Sequence, residues 1–185
     1  IALFAALICT VSLLGACSKD SGSAENCTAV ITIRDYGKIT VALDADAAPI
    51  TVANFVKLAE SGFYDGLTFH RIIEGFMMQG GESKTQTADT IKGEFSANGV
   101  KNSLSHTRGA ISMARNSISM DSASSQFFIV QEDSTFLDGQ YAAFGYVTDG
   151  MDVVDAVCTD AKPTDNNGSI AASAQPVIKS IVIEK

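Results

Sequence analysis

The sequence lacks most of the residues and motifs from which common catalytic sites are built. It has no tryptophan, three prolines and only two histidines, His70 and His106, in 185 residues. It contains no HExxH or paired CxxC motif, so a zinc site has few ligands available. It also lacks the GxSxG motif of hydrolases and the P-loop and GxGxxG motifs of nucleotide sites. An enzyme made from this chain must therefore work without a nucleophile, a metal ion or a nucleotide.

Charge and composition narrow the class of protein further. The formal net charge is -8, which argues against nucleic-acid binding because phosphates require a basic surface. The chain is 46% hydrophobic and 18% charged, as is typical of a globular protein. Its acidic residues are scattered, so we interpret them as a solvated surface. The length allows one domain, which we assign to residues 28–185.

The first residues, IALFAALICTVSLLGA, carry no charge. This stretch is shorter than the roughly 20 apolar residues of a membrane-spanning helix and matches the hydrophobic region of a signal peptide. Its end, Leu14-Gly15-Ala16-Cys17, resembles the lipobox of bacterial lipoproteins, in which the peptide is cut before a lipid-carrying cysteine. We therefore expect residues 1–16 to be a signal peptide without its start and Cys17 to be lipidated. A plain secretory signal is the alternative.

We expect residues 17–27 to carry the lipid and form a flexible tether, because SKDSGSAEN is small, polar and without periodicity. The order along the chain, a lipidated cysteine followed by a tether and a folded domain, predicts a protein anchored at the extracytoplasmic face of the cell membrane. That compartment is oxidising, so Cys27 and Cys158 can form a disulfide if their Cα atoms come within about 7 Å. Two unrelated buried thiols are the alternative.

From residue 28 onward the pattern is mostly that of β-strands. Residues 29–34 (AVITIR) are rich in β-branched side chains, and residues 38–43 alternate between apolar and other side chains, which predicts a hairpin. Helical spacing begins near Pro49 and stops at Gly62, and a second helix fits residues 151–157. Further apolar runs predict strands at 67–73, 76–79, 110–113, 127–130, 142–147 and 177–183. Many short strands with two helices favour an antiparallel barrel whose ends the helices cap.

One segment, FHRIIEGFMMQGGE at residues 69–82, places an arginine inside an apolar and aromatic stretch. Burying the guanidinium of Arg71 costs free energy unless it is paired or hydrogen-bonded, and Gln79 lies on the same run. A cleft-facing arginine steadied by Gln79 is one interpretation of this pattern. An exposed arginine at a sheet edge is the other.

The same segment resembles the signature of the cyclophilin family, which runs Phe-His-Arg, two aliphatic residues, any residue, Gly or Asn, Phe, Met, any residue, Gln-Gly-Gly. Two further segments resemble the family in the expected order: HTRGAISMA at 106–114, and SQFFI at 125–129 followed by Leu137-Asp138-Gly139 and Phe144-Gly145. The resemblance extends from about residue 28 to the C-terminus. It implies a mainly β fold, a closed eight-stranded antiparallel barrel capped by two α-helices.

The resemblance also implies the roles of individual residues. Arg71 matches the catalytic arginine of the family, and Gln79 matches the glutamine that orients it. The implied substrate-binding residues are Phe76, Met77, Gln79, Ala114, Arg115, Gln126, Phe128, Phe136, Leu137 and Tyr141. No metal ion and no cofactor is implied.

The sequence departs from the family pattern at the rim of this implied site. Phe136 stands where many relatives have tryptophan, so the resemblance implies weaker cyclosporin binding with isomerase activity retained. Tyr141 stands where many relatives have histidine. Residues 116–124 are unlike the usual loop, which leaves contacts to residues before the proline open.

We therefore predict a peptidyl-prolyl cis/trans isomerase that acts without a cofactor and assists the folding of exported proteins. Its expected partners are proline-containing polypeptides and, through the lipid, the membrane, and we expect a monomer that binds no nucleic acid. The alternative is a module of the same fold that binds proline-containing segments without turnover.

Overall fold

In the computed structural model, residues 25–184 are described; the expected signal peptide and Cys17 lie outside this range. The strands are β1 (Cys27–Ile33), β2 (Gly37–Leu43), β3 (Phe69–Ile73), β4 (Met77–Gly80), β5 (Ala110–Met113), β6 (Phe127–Val130), β7 (Ala143–Asp149) and β8 (Ile178–Glu184). The helices are α1 (Pro49–Glu60) and α2 (Met151–Asp160). The predicted strands and both helices are confirmed, with small shifts at their ends.

The hairpin of β1 and β2 begins one residue inside the segment that we assigned to the tether. Cys27 pairs with Leu43, and the register runs without interruption to Ile33 opposite Gly37. Asn26 is also held, because its side-chain oxygen accepts a hydrogen bond from the backbone N–H of Ala45 at 2.7 Å. The end of the tether is therefore part of the folded domain.

All eight strands form one antiparallel sheet in the order β3-β4-β6-β5-β7-β2-β1-β8. The expectation of a closed barrel is wrong: the sheet curls into an open half-barrel whose end strands, β3 and β8, form no ladder with each other. The two segments meet only where each strand begins, at an isolated bridge between Thr68 and Val177 with backbone bonds from Phe69 to Pro176 at 2.9 Å and from Ile178 to Leu67 at 2.8 Å within residues 25–184.

The gap has a physical cause in the loop between α2 and β8. This loop lies along the free edge of β3, where the N–H of Ile72 donates to the carbonyl of Gly168 at 2.8 Å. The N–H of Ile170 donates to the carbonyl of His70 at 2.9 Å. Because the loop uses these backbone groups, they are not available to β8.

The two helices pack on the sheet through their apolar faces. Helix α1 begins with Pro49, and its first N–H groups are capped by the buried carboxylate of Glu94, which accepts from the N–H of Ile50 at 3.0 Å and of Thr51 at 2.7 Å. Helix α2 buries Val154 and Val157. Within residues 25–184 neither helix has the length and apolar character needed to cross a bilayer.

Strand β6 separates two apolar clusters because its side chains alternate between the faces of the sheet. Phe127 and Ile129 lie in the large interior cluster. Phe128 and Val130 lie in a smaller cluster on the outer face. The outer cluster carries the candidate site.

The disulfide that the sequence allowed is not formed. Cys158 is a buried free thiol in α2, and burial raises its pKa to about 12. Helix α2 meets the Gly37 end of β2, where Val153 lies against Gly37, whereas Cys27 pairs with Leu43 at the other end. At about 3.3 Å per residue, these ends are about 20 Å apart.

Candidate active site

A cavity of about 150 Å³ opens on the outer face of the sheet, where β3, β4 and β6 are neighbours. Its lining combines apolar and aromatic side chains with two guanidinium groups and one amide: Arg71, Phe76, Met77, Gln79, Ala114, Arg115, Phe128, Leu137 and Tyr141. All nine were expected from the sequence. Gln126 and Phe136, which were also expected, do not line this cavity, which we call the first cavity.

Arg71 reaches the first cavity because β3 is irregular. Phe69 and Arg71 are two residues apart and would share a face in a regular strand, yet Phe69 is fully buried in the interior. The register of β3 against β4 shifts between these two residues, and such a bulge re-aims the following side chain. The irregularity thus turns Arg71 outward.

The guanidinium of Arg71 is held from two sides. Its Nη1 donates to Oε1 of Gln79 at 3.2 Å, as the sequence predicts, and its Nε donates to the carbonyl of Asn167 at 2.8 Å. The sulfur of Met77 lies 3.9 Å from Nη1. Nη2 makes no hydrogen bond with residues 25–184, so it can still donate to a ligand.

Gln79 is fixed in turn by Gln126. The Nε2 of Gln79 donates to Oε1 of Gln126 at 2.9 Å, which leaves Oε1 of Gln79 to accept from Arg71. Since a guanidinium only donates, this chain of bonds also fixes which end of the Gln79 amide faces Arg71. Gln126 therefore acts on the first cavity through Gln79.

The apolar wall of the first cavity is built around Phe128, which is 5% exposed. The ring of Tyr141 meets Phe128 edge-on, with centroids 6.0 Å apart. On the opposite rim, the ring of Phe76 lies 5.6 Å from that of Phe136, whose side chain is 67% exposed. Phe136 therefore packs against Phe76 at the rim, whereas Phe128 lines the cavity itself.

His106 supports Phe128 from behind, with its ring stacked at 6.0 Å between centroids. Its Nδ1 is 2.8 Å from Oδ1 of Asp138 and its Nε2 is 2.9 Å from Oγ of Ser112. Burial lowers the pKa of His106, although the hydrogen bond with Asp138 opposes this shift. His106 is therefore a hydrogen-bonded structural residue.

A second cavity of about 280 Å³ adjoins the first and is polar. It is lined by Gln79, Ala114, Arg115, Asn116, Ser122, Ser124 and Gln126. Most of these residues belong to the loop at 116–124 or flank it. The expected contribution of Gln126 is therefore to this second cavity, while Arg115 lines both.

The Arg115 side chain is more engaged than the sequence indicates. Its guanidinium carbon lies 4.8 Å from the centroid of the Tyr141 ring and 5.4 Å from that of Phe95. Its Nε donates to the carbonyl of Gln140 at 2.9 Å. These contacts hold a positive charge at the boundary between the two cavities.

Two glycines allow the site strand to pack closely. A Cβ on Gly80 would lie 2.8 Å from the carbonyl oxygen of Thr68 and from the ring of Phe69. Gly81 has a φ of 82° and would bring a Cβ within 2.8 Å of the carbonyl of Ser125. A side chain at either position would clash with these neighbours, which explains why the segment ends in Gln-Gly-Gly.

Asn167 is the site residue that sequence reasoning missed. It acts through its backbone carbonyl, so its side-chain type carries no signal of the role. The Asn167-Gly168 dipeptide does predict a turn, and Gly168 has a φ of 84° with Ile72 close by. That turn could have been placed against β3 only with the fold in hand.

Comparison with known proteins identifies this arrangement. Residues 28–184 match the family described as cyclophilin type peptidyl-prolyl cis-trans isomerase/CLD. The chain belongs to this family. It is 42% identical to peptidyl-prolyl cis-trans isomerase A of Dickeya dadantii over 160 residues, which cover 84% of the chain and 83% of that relative. It is 46% identical to peptidyl-prolyl cis-trans isomerase B of Bacillus subtilis over 129 residues, which cover 68% of this chain and 86% of that relative.

The fold agrees with solved cyclophilins. A Cryptosporidium parvum cyclophilin, crystallised in the presence of the dipeptide Ala-Pro, superposes with a TM-score of 0.72 at 27% identity. The match covers 85% of this chain and 99% of the other. This cyclophilin is therefore a peptidyl-prolyl cis/trans isomerase built on an open eight-stranded antiparallel half-barrel with two helices.

Proposed function

We propose that the first cavity is where this cyclophilin isomerises X-Pro bonds, with Arg71 as its catalytic residue. The observation that carries the proposal is a guanidinium held by Gln79 and Asn167 at the wall of an apolar cavity. Its volume of about 150 Å³ equals that of a cavity known to hold benzene, so a prolyl ring fits. The Cryptosporidium protein was crystallised with Ala-Pro, and we propose proline-containing polypeptides as the ligands here.

The proposed mechanism follows from the electronic structure of the amide. Rotation about the X-Pro bond must break resonance, which gives a barrier of about 18–20 kcal/mol and an uncatalysed time of tens of seconds. As resonance is lost, the prolyl nitrogen becomes pyramidal and can accept a hydrogen bond. Arg71 donates to it through Nη2, while Phe128 and Met77 hold the ring away from water. This interaction is stronger in the twisted state than in either planar state, so it lowers the barrier.

We propose that the reaction needs no cofactor and that the monomer is active. Rotation neither forms nor breaks a σ bond, so it requires no nucleophile and no electron transfer. Arg71, Gln79 and Phe128 lie on the neighbouring strands β3, β4 and β6 of one sheet, and this local arrangement supports activity of a single subunit.

A protease-coupled assay on a prolyl peptide tests this proposal. The peptide is cleaved only when its X-Pro bond is trans, so the protein should accelerate the slow phase that cis peptide limits. A binding module without turnover would instead bind the peptide and leave that phase unchanged. That result would refute the proposal.

We further propose that the clients are exported proteins and that Cys17 anchors the chain by lipid at the extracytoplasmic face of the membrane. The support is the uncharged stretch before Cys17 and the Leu14-Gly15-Ala16-Cys17 box. Labelled palmitate fed to cells expressing the full precursor should appear in the protein and be lost on Cys17→Ser. Cys9→Ser is the matched control, because Cys9 would leave with the signal peptide. Retention of label in Cys17→Ser would contradict the anchor.

A further inference from the structure

We propose that Gln131 is a positioning residue for Phe76, and that Asp155 and Arg108 hold Gln131 in place from the far side of the turn. The proposal rests on the first cavity being the prolyl site. It concerns a group of residues that lies behind the cavity wall and lines neither cavity.

The turn between β3 and β4 carries Phe76 into the cavity wall. Gly75 in this turn is exposed and has a φ of 75°, so burial does not fix the turn. The turn has its own bond, from the N–H of Phe76 to the carbonyl of Ile73 at 3.0 Å, and Gln131 binds it twice more. Its side-chain Oε1 accepts from the N–H of Gly75 at 2.7 Å, and its own N–H donates to the carbonyl of Phe76 at 2.8 Å. The backbone on both sides of the Phe76 Cα is thus tied to one residue.

The side chain of Gln131 is itself held in one orientation. It is buried, with 6% of its surface exposed, and its Nε2 lies 3.3 Å from Oδ1 of Asp155. A carboxylate only accepts hydrogen bonds, so the NH₂ group of the amide must face Asp155. The Oε1 atom then has to face Gly75.

Asp155, on helix α2, is fixed by Arg108. The two terminal nitrogens of Arg108 donate to the two carboxylate oxygens at 2.9 and 2.6 Å, and Nη1 also donates to the carbonyl of Gln131 at 2.7 Å. Bidentate pairs of this kind fix geometry. The hydrogen bond from Arg108 lowers the pKa of Asp155, so the carboxylate stays ionised at neutral pH. Arg108, Asp155 and Gln131 therefore form a closed unit that joins α2 to the turn.

This unit positions the Phe76 wall of the first cavity and makes no hydrogen bond to Arg71. The Phe76 ring packs on the outer cluster and against Phe136, which is itself 67% exposed and adds little restraint. Arg71 is held separately by Gln79 and Asn167. Loosening the turn should therefore weaken binding of the prolyl ring in all states, which raises KM and leaves kcat almost unchanged.

The test compares Gln131→Met with Gln175→Met in the full domain. Methionine keeps the length and burial of glutamine and removes its side-chain hydrogen bonds to Gly75 and Asp155, while the backbone bond to Phe76 remains. Gln175 also makes two side-chain bonds, to Thr68 and Ile170, and lines neither cavity. We expect Gln131→Met to raise KM by about 5- to 10-fold with kcat within about 2-fold. The Gln175 variant should change neither.

A spectroscopic measurement separates this inference from the proposed function. In Gln131→Met the ring proton resonances of Phe76 should move, because the ring leaves its place 5.6 Å from Phe136, and in Gln175→Met they should stay. This result does not depend on catalysis, so a chain without isomerase activity would refute the proposed function and still allow the test. Unchanged KM and unchanged Phe76 resonances in Gln131→Met would overturn the inference.

Asp155→Ala provides a second test if Gln131→Met does not fold. Asp155 is on the surface, with 41% of its side chain exposed, so the variant should fold and give the same direction of change in KM. Its control is Glu132→Ala, which removes the other carboxylate near Arg108, at 3.7 Å, without touching the Gln131 side chain. Equal effects of the two variants would overturn the inference.

Discussion

The two adjoining cavities differ in what holds them. In the first, Arg71, Met77, Gln79 and Phe128 come from β3, β4 and β6, and a chain of hydrogen bonds runs from Asn167 through Arg71 and Gln79 to Gln126. The second is lined by Asn116, Ser122 and Ser124 of the loop at 116–124 together with residues that flank it. This loop is tied to the rest of the domain, as where the Asn54 side chain donates to the carbonyl of Ser124 at 2.6 Å, and also by bonds within itself. For example, Oδ1 of Asn116 accepts from the N–H groups of Ile118 and Ser119. Arg71, a held donor beside an apolar wall, lines the first cavity and not the second, so we assign the chemistry to the first and only sequence preference to the second.

The largest effect should come from removing the guanidinium of the first cavity. Arg71→Ala is expected to lower kcat/KM by at least about 100-fold, roughly 2.7 kcal/mol, because the twisted state loses its hydrogen bond. Arg34→Ala, at an exposed arginine, is the control and should keep full activity. Near-normal turnover in Arg71→Ala would place the chemistry elsewhere.

The next largest effect should come from the cavity wall. Phe128→Leu is expected to lower kcat/KM by about 10-fold, or roughly 1.4 kcal/mol, mainly through KM. Phe127→Leu is the matched control, since the neighbouring ring faces the interior and its loss should lower the free energy of unfolding with little change in KM. If the two variants had the same KM, the distinction between the faces of β6 would fail.

Gln79 tests whether the polar chain positions Arg71. Gln79→Leu removes the bonds to Arg71 and Gln126 and should lower kcat by about 5-fold, roughly 1 kcal/mol. Gln79→Glu keeps an acceptor for Arg71 and should recover most of this loss. A Gln79→Glu variant as slow as Gln79→Leu would argue against the positioning role.

The smallest effect on a short peptide should come from the second cavity. The Oγ of Ser122 accepts from the N–H of Asn116 at 3.0 Å and donates to the carbonyl of Ser119 at 2.7 Å. Ser122→Ala should loosen this loop and change kcat/KM for an Ala-Pro peptide by less than about 2-fold. It should change the ranking of longer peptides with polar flanking residues. A 10-fold loss of kcat/KM on the short peptide would show that the second cavity also contributes to the chemistry, which contradicts the assignment.

The two histidines, of which His106 stacks behind Phe128, predict how the stability of the domain depends on pH. Burial lowers the pKa of both His106 and His70 in the folded state, so the unfolded chain binds protons first as the pH falls below about 6.5. The contribution of these two residues to the free energy of unfolding should therefore decrease below that pH and stay constant above it. Histidine ring resonances followed by NMR should show midpoints below 6.5. A midpoint above 6.5 for His106 would mean that Asp138 outweighs burial.

Much of the fold and site could be predicted from the sequence because the signals are local. The alternation in β2 and the Pro49 helix start are read within a few residues, and Arg71, Gln79 and Phe128 stand in recognisable segments. The open sheet could not be predicted, because it depends on a distant loop taking the edge of β3. For the same reason the backbone acceptor Asn167 was missed, and burial of Cys158 away from Cys27 became evident only in three dimensions.

Exchange NMR on a mixture of the protein with an Ala-Pro peptide tests the central claim most directly, because catalysis and location are read together. Cis and trans peptide signals should exchange far faster than the uncatalysed tens of seconds. At the same time, the amide resonances of Gln79 and Phe128 should shift more than those of Ser122 and the rest of its loop. Exchange at the uncatalysed rate, or shifts centred on the second cavity, would contradict the assignment of isomerisation to the first cavity.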